Sequence, residues 1–223
     1  MKPDSKRRQK VLVINPNSNP AVTQGLEAAL ATLQFADGPT FAFHTLAEGP
    51  IGIETQAHME SVTLPLSRLV AADTSADAFI IACYSDPGLH VCREATSRPV
   101  FGIAEAGVLS ALARGDRFGV IAINQRSIPR HMRYLRQMEL MQRLAGERPL
   151  EMSVAETATG EKTFERMLTI GRQLKDDDGA NVVVMGCAGM ARHRRPLENA
   201  LGIPVIDPTQ AAAVMALGAI AVG

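Results

Sequence analysis

The chain has 223 residues, with 23 basic and 23 acidic side chains in balance, an aromatic content of 4% and no Trp. It therefore lacks both the basic face and the stacking surface of a nucleic-acid binder, and no run approaches the roughly 18 apolar residues of a membrane span. Three widely spaced cysteines (Cys83, Cys92, Cys187) without CxxC, and five histidines without an HxxxH pair, fit neither a disulfide scaffold nor a zinc site, so a cytoplasmic, metal-free protein is expected.

The opening "MKPDSKRRQK" (1–10) is basic, and the apolar run behind it is too short for a signal peptide, so it reads as a flexible tail. Strands are then expected at 11–15, 40–46, 78–83, 99–103, 118–124, 150–156, 181–187 and 204–208. Helical spacing covers 20–34, 55–72, 105–114, 127–145, 161–175 and 208–220. Short β-branched runs alternating with helices indicate an α/β protein with largely parallel sheets. Pro20 and Pro129 stand near helix starts, where a missing N–H costs little, and Gly179 closes "KDDDG" as a helix stop. The apolar C-terminal helix suits self-association into a homo-oligomer.

An internal echo runs through this pattern. "VLVINPNS" (11–18) recurs as "VIAINQRS" (120–127), "AFIIAC" (78–83) as "VVVMGC" (182–187), and Pro99-Val100 as Pro204-Val205, all in the same order. Two pseudo-symmetric halves follow, with 11–98 plus 207–223 as the first and 99–206 as the second. Ligands of open α/β sheets sit beyond the carboxyl ends of the strands. Asn15, Asn124, Cys83 and Cys187 lie at such ends, so the two thiols would flank one cleft from opposite sides.

Taken singly, a cysteine is most often a small buried hydrophobe, and Cys92, which has no counterpart in the other half, is read that way. Cys83 and Cys187 each precede a turn of small or polar residues ("YSDPG", "AGM") that leads into a helix. Exposed N–H groups there are expected to lower a thiol's pKa and to hold developing negative charge on oxygen. Two thiols facing one carbon suit stereoinversion: a thiolate removes the proton α to a carbonyl, and a thiol returns one from the far side. No cofactor is needed for that chemistry.

The chain resembles the aspartate/glutamate/hydantoin racemase superfamily, most closely its hydantoin and allantoin racemases. The matching pieces are "INPNSN" (14–19), "GPIGIE" (49–54), "ACYSDPGL" (82–89), "PVFGIAEA" (99–106), "GCAGMA" (186–191) and "GIPVIDP" (202–208), in order along nearly the whole chain. The resemblance implies two flavodoxin-like halves with the site between them and a cofactor-independent two-base reaction at Cys83 and Cys187. It implies that Asn17 and the backbone around Tyr84, Ser85, Ala188 and Gly189 hold substrate carbonyl or imide groups. Ile53, in the loop 48–54, would be an apolar contact. Hydantoin racemases commonly carry a Thr-Thr pair at the end of the fifth strand. Ala122 and Ile123 replace it here, leaving Asn124 to Ser127 to supply polarity and pointing to a polar substituent such as the ureido group of allantoin. The expected activity is racemisation of a cyclic ureide, allantoin first and a 5-substituted hydantoin second. The alternatives are a decarboxylase or cis–trans isomerase on the same scaffold, or a non-catalytic binding module.

Overall fold

The computed structural model describes residues 7–159 and 162–222. Among the described residues eight strands run β1 (Lys10–Asn15), β2 (Thr40–Thr45), β3 (Ala78–Ile81), β4 (Val100–Gly102), β5 (Phe118–Ala122), β6 (Leu144–Pro149), β7 (Val182–Met185) and β8 (Val205–Ile206). The helices are α1 (Pro20–Leu30), α2 (Gln56–Ser61), α3 (Thr63–Ala72), α4 (Leu89–Glu94), α5 (Ile103–Leu112), α6 (Ile128–Gln137), α7 (Val154–Thr159), α8 (Thr163–Asp176), α9 (Arg194–Leu201) and α10 (Pro208–Val222). The strands form two all-parallel four-stranded sheets, ordered β2-β1-β3-β4 and β6-β5-β7-β8. A parallel sheet covered on both faces needs strands that are apolar throughout. Accordingly β3, β5 and β7 are buried at every position.

The halves repeat each other rung by rung. Ala82 N–H donates to the Ile14 carbonyl in the first half, as Gly186 N–H does to Ile121 in the second, both at 2.8 Å. Leu46 donates to Asn15 as Leu150 does to Ala122, and Phe79 to Pro99 as Val183 does to Pro204. This ladder corrects the echo by two residues. Ile14 matches Ile121, so the partner of Asn15 is Ala122, and Asn124 answers to Asn17. A two-residue identity such as Ile-Asn is too short to define register; the backbone hydrogen bonds define it.

Three further expectations change. Val100–Gly102 pairs with β3, so the first sheet takes in residues that lie beyond the boundary expected at 98/99. The strand expected at 150–156 is absent. The sheet edge is instead β6, "LAGERP", whose Gly146, Glu147 and Pro149 hide its β character, and an edge strand tolerates proline. Residues 154–159 are helical. The basic segment 1–10 begins outside the described residues, but Arg7 and Arg8 donate to the carbonyls of Ser75, Gly38 and Phe35, and Lys10 already belongs to β1. Those residues are tied to the sheet's lower edge rather than being a free tail.

The larger apolar core is continuous between the halves, joining Val11, Val13 and Ile80 of the first sheet to Val120, Ile121 and Val184 of the second. α10 returns from the second sheet to bury Ala211, Ala212, Ala213 and Ala216 against the body, and its small side chains let it lie close to α5. A smaller core under α3 and α4 holds Ile14, Leu66, Phe79 and Cys92 on the other face of the first sheet.

Candidate active site

β3 and β7 end at equivalent positions, and two residues past each end stands a cysteine. Cys83 and Cys187 line one small cavity beyond the strand ends. Cys187 is 8% exposed, Cys83 is more open, and all three cysteines are free thiols. The cavity is completed by Asn17, Ile53, Tyr84, Ser85, Ser127 and Ala188, all singled out by sequence. Gly189 does not line it, but its backbone N–H points at the Cys187 sulfur. The Ser85 N–H does the same for Cys83. Cys92 lies fully buried in the smaller core.

The thiols are not acidified as expected. Burial pushes Cys83 up to about 12, and the Ser85 N–H and the Arg130 charge offset only part of that rise. Burial raises Cys187 as well. Desolvation disfavours a thiolate more strongly than one N–H group favours it. The helices also stand back, since α4 begins six residues after Cys83 and a short 3₁₀ turn, Ala188–His193, follows Cys187. A charge on Cys187 raises the cost of ionising Cys83, so the cavity favours a single negative charge at a time.

Asn17 is held by its own loop. Its Oδ1 accepts from Asn19 N–H at 2.9 Å and from Asn15 Nδ2 at 3.1 Å, which fixes the amide's orientation. The Nδ2 group makes no hydrogen bond to any described residue and is free to donate to a carbonyl in the cavity. The helix cap sits one step further on, because Asn19, not Asn15 or Asn17, accepts from Ala21 N–H and caps α1. Ser127 donates its hydroxyl to the Asn124 carbonyl at 2.8 Å, so its remaining capacity in the cavity is as an acceptor.

The match to known proteins covers this whole arrangement. A model of the Asp/Glu/hydantoin racemase family fits residues 11–216. The chain belongs to the Asp/Glu/hydantoin racemase family. It is 34% identical to a hydantoin racemase of Paenarthrobacter aurescens over 219 residues, covering 96% of this chain and 92% of that one. Its fold superposes on allantoin racemases from Klebsiella pneumoniae and Pseudomonas fluorescens. Each gives a TM-score of 0.90, at 28% and 26% identity, over 96% of this chain and 89% and 92% of theirs. The flavodoxin-like pair of halves and the assignment as an isomerase of the racemase type both stand.

The racemase also places groups at the cavity that sequence reading missed. Arg130 and His131 of α6 are 7% and 6% exposed and line the same cavity. Arg130 Nε donates to Ser85 Oγ at 2.9 Å and its Nη1 to the Glu54 and Arg126 carbonyls at 3.1 Å. With Ser85 accepting from Arg130, its own hydroxyl hydrogen is left for His131 Nε2, 3.4 Å away. His131 Nδ1 then carries the proton that faces Glu147 Oε1 at 2.5 Å. The network thus selects a tautomer. The available signal was two basic residues at the start of a strongly amphipathic helix, on the face that its apolar positions bury.

Glu54 and Asp86 complete the frame. Glu54 Oε1 accepts from Val154 N–H, one hundred residues away, at 3.0 Å, so the loop 48–54 is pinned to the second half while it carries Ile53 into the cavity. Asp86 accepts from the N–H groups of Ala104 and Glu105, and therefore caps α5 rather than the helix directly after it. Burial raises that carboxyl to about 7 against the pull of those two N–H groups. Asp207 plays the same part at α10, accepting from Thr209 and Gln210. Among the described residues no helix is long and apolar enough to cross a membrane, and no cluster of His, Cys, Asp or Glu could hold a metal ion.

Proposed function

We propose that this racemase inverts the stereogenic carbon of a cyclic ureide by proton transfer between two thiols, with allantoin as first substrate and a 5-substituted hydantoin as second. The observation that carries the reading is the position of Cys83 and Cys187. Both stand two residues past equivalent strand ends, and both line one cavity in the cleft between the halves. One sulfur, ionised, takes the proton α to the ring carbonyl, and the C–H electron pair moves onto the carbonyl oxygen. The other sulfur gives its proton to the opposite face, and the pair returns to carbon. Asn17 Nδ2 is the donor available to hold the developing oxyanion, the kind of contact on which such reactions depend most.

The polar wall opposite supports the substrate order. Arg130 Nη2 makes no hydrogen bond to any described residue, while Nε and Nη1 are occupied. A guanidinium N–H with unused capacity at a cavity wall suits the carbonyl of a ureido substituent better than an alkyl or benzyl group. The hydantoin and allantoin racemase relatives support the ureide class. Polarimetry in D₂O on pure enantiomers tests the proposal. Loss of optical rotation together with deuterium at the stereogenic carbon is expected, faster than the spontaneous reaction, and absent in Cys83→Ser and Cys187→Ser. Serine variants that both racemise at the parent rate sink the two-thiol mechanism. Evolution of carbon dioxide from a malonate-type acid would favour a decarboxylase instead.

A further inference from the structure

The two sulfurs occupy equivalent places in the repeated halves, yet their surroundings are not equivalent. Cys83 has the Ser85 N–H and, beyond it, the guanidinium of Arg130. Cys187 has the Gly189 N–H and the hydroxyl of Thr157, whose Oγ1 lies 3.6 Å from its sulfur. Thr157 is fully buried in α7, a helix the first half does not repeat at that place, and among the described residues its hydroxyl's hydrogen-bond partners are this sulfur and the Val154 carbonyl.

A hydroxyl has one hydrogen to donate. Thr157 Oγ1 lies 2.7 Å from the Val154 carbonyl, a full-strength O–H···O distance, and that carbonyl has no hydrogen of its own to give. The hydrogen is therefore committed to Val154, and what faces Cys187 is a lone pair. A lone pair accepts from S–H and repels S⁻. We propose that Thr157 is a positioning residue that holds the resting proton on Cys187, leaving Cys83 as the sulfur that ionises first and so as the resting base. The inference rests on the two-thiol reading above and adds which sulfur begins as acid and which as base.

The charges around the pair are divided. Arg130 of α6 places its positive charge on the Cys83 side and outweighs Asp86 in the turn below, whereas a charge on Cys187 itself would weigh more against Cys83 than Arg130 weighs for it. Glu54 of the 48–54 loop places a negative charge toward Cys187. The His131–Glu147 pair of α6 and β6 stands behind Ser85 on the Cys83 side, and Tyr84 packs edge-on against His131 at 5.1 Å. In turnover Cys83 gains the proton taken from carbon and Cys187 loses its own. The thiolate then faces the Thr157 lone pair, so exchange of protons with solvent restores the resting arrangement.

Site-resolved alkylation of the full chain by iodoacetamide, read by mass spectrometry in pulses shorter than alkaline unfolding across roughly pH 7 to 13, reports the ionisation midpoint of each thiol independently of its accessibility. In the parent protein Cys83 should ionise at lower pH than Cys187. In Thr157→Val, which keeps the shape and removes the acceptor, the Cys187 midpoint should fall by about half to one pH unit, while Cys83 stays in place. Thr157→Ser, which keeps the hydroxyl, should hold the parent midpoint. The sign decides the matter, because a Thr157 that donated to the thiolate would make Cys187 less acidic when removed. A Cys187 midpoint that rises or does not move in Thr157→Val, that falls equally in Thr157→Ser, or that lies at or below that of Cys83 in the parent overturns the inference. If the two cysteine-to-serine variants are nevertheless inactive, the two-thiol reaction stands and only the role of Thr157 falls.

Discussion

Replacing Arg130 with Met removes a buried charge while keeping most of the side chain's bulk. Three hydrogen bonds go with it, to Ser85 Oγ at 2.9 Å and to the Glu54 and Arg126 carbonyls at 3.1 Å. Hydrogen bonds from a charged donor contribute about 1.5–3 kcal/mol each. Two effects offset the loss, since Arg126 is exposed and its carbonyl can turn to water, and Met needs no desolvation of a guanidinium. A net destabilisation of about 2 kcal/mol remains, which for a chain of this size lowers Tm by about 4–8 °C. The chemical consequence is separate. Arg130 is the positive group that lowers the Cys83 thiol, so its loss should move the rising limb of kcat/KM to higher pH by about one unit and reduce neutral activity about tenfold. Arg130→Lys keeps the charge but not the fork, so it should lose stability while holding the pH profile. Thermal melting by circular dichroism and racemisation at a series of pH values measure the two effects. A melt unchanged in Arg130→Met, with a superimposable pH profile, would refute the place given to this residue.

The reaction needs one ionised sulfur and burial raises both thiols, so kcat/KM should climb with pH across the neutral and mildly alkaline range; a flat profile there would contradict a thiolate base. Stability should run the other way. The unfolded chain ionises Cys83 near its ordinary 9.0 and the folded one only near about 12, so the protonated fold loses ground between those values, and Cys83→Ser should shallow that decline in a pH series of melts. In Gly186→Ala a Cβ would stand 2.5 Å from the Ile121 carbonyl oxygen, inside β5, so backbone must move directly beneath Cys187. We expect about 1–3 kcal/mol lost in urea unfolding and a reduced kcat, and a fully active, fully stable variant would show that β5 and β7 have slack there. Asp86→Ala leaves the first N–H groups of α5 unpaired in the interior. It should cost about 1–3 kcal/mol by the same measurement, with neutral stability equal to the parent as the failing result.

Much of this protein was legible in its sequence because the relevant physics is local. Short β-branched apolar runs such as "FIIA" and "VVVM", bounded by turn residues, read as strands buried on both faces, and their alternation with helical spacing left few architectures. The repeat of those runs ahead of two cysteines was enough to bring the thiols to one cleft. What tertiary structure alone decided depends on groups far apart in the chain. It set the register of the halves, where backbone hydrogen bonds overrule a shared Ile-Asn, and it seated the edge strand in "LAGERP" because an edge needs pairing on one side only. It sent Asp86 to a helix eighteen residues on, and turned Arg130 and His131 inward to meet Ser85 and Glu147. It also reversed the expected acidity of the thiols. A sequence shows the N–H groups that would stabilise a thiolate, but the water that burial removes is a property of the packed whole, and here its loss is the larger effect.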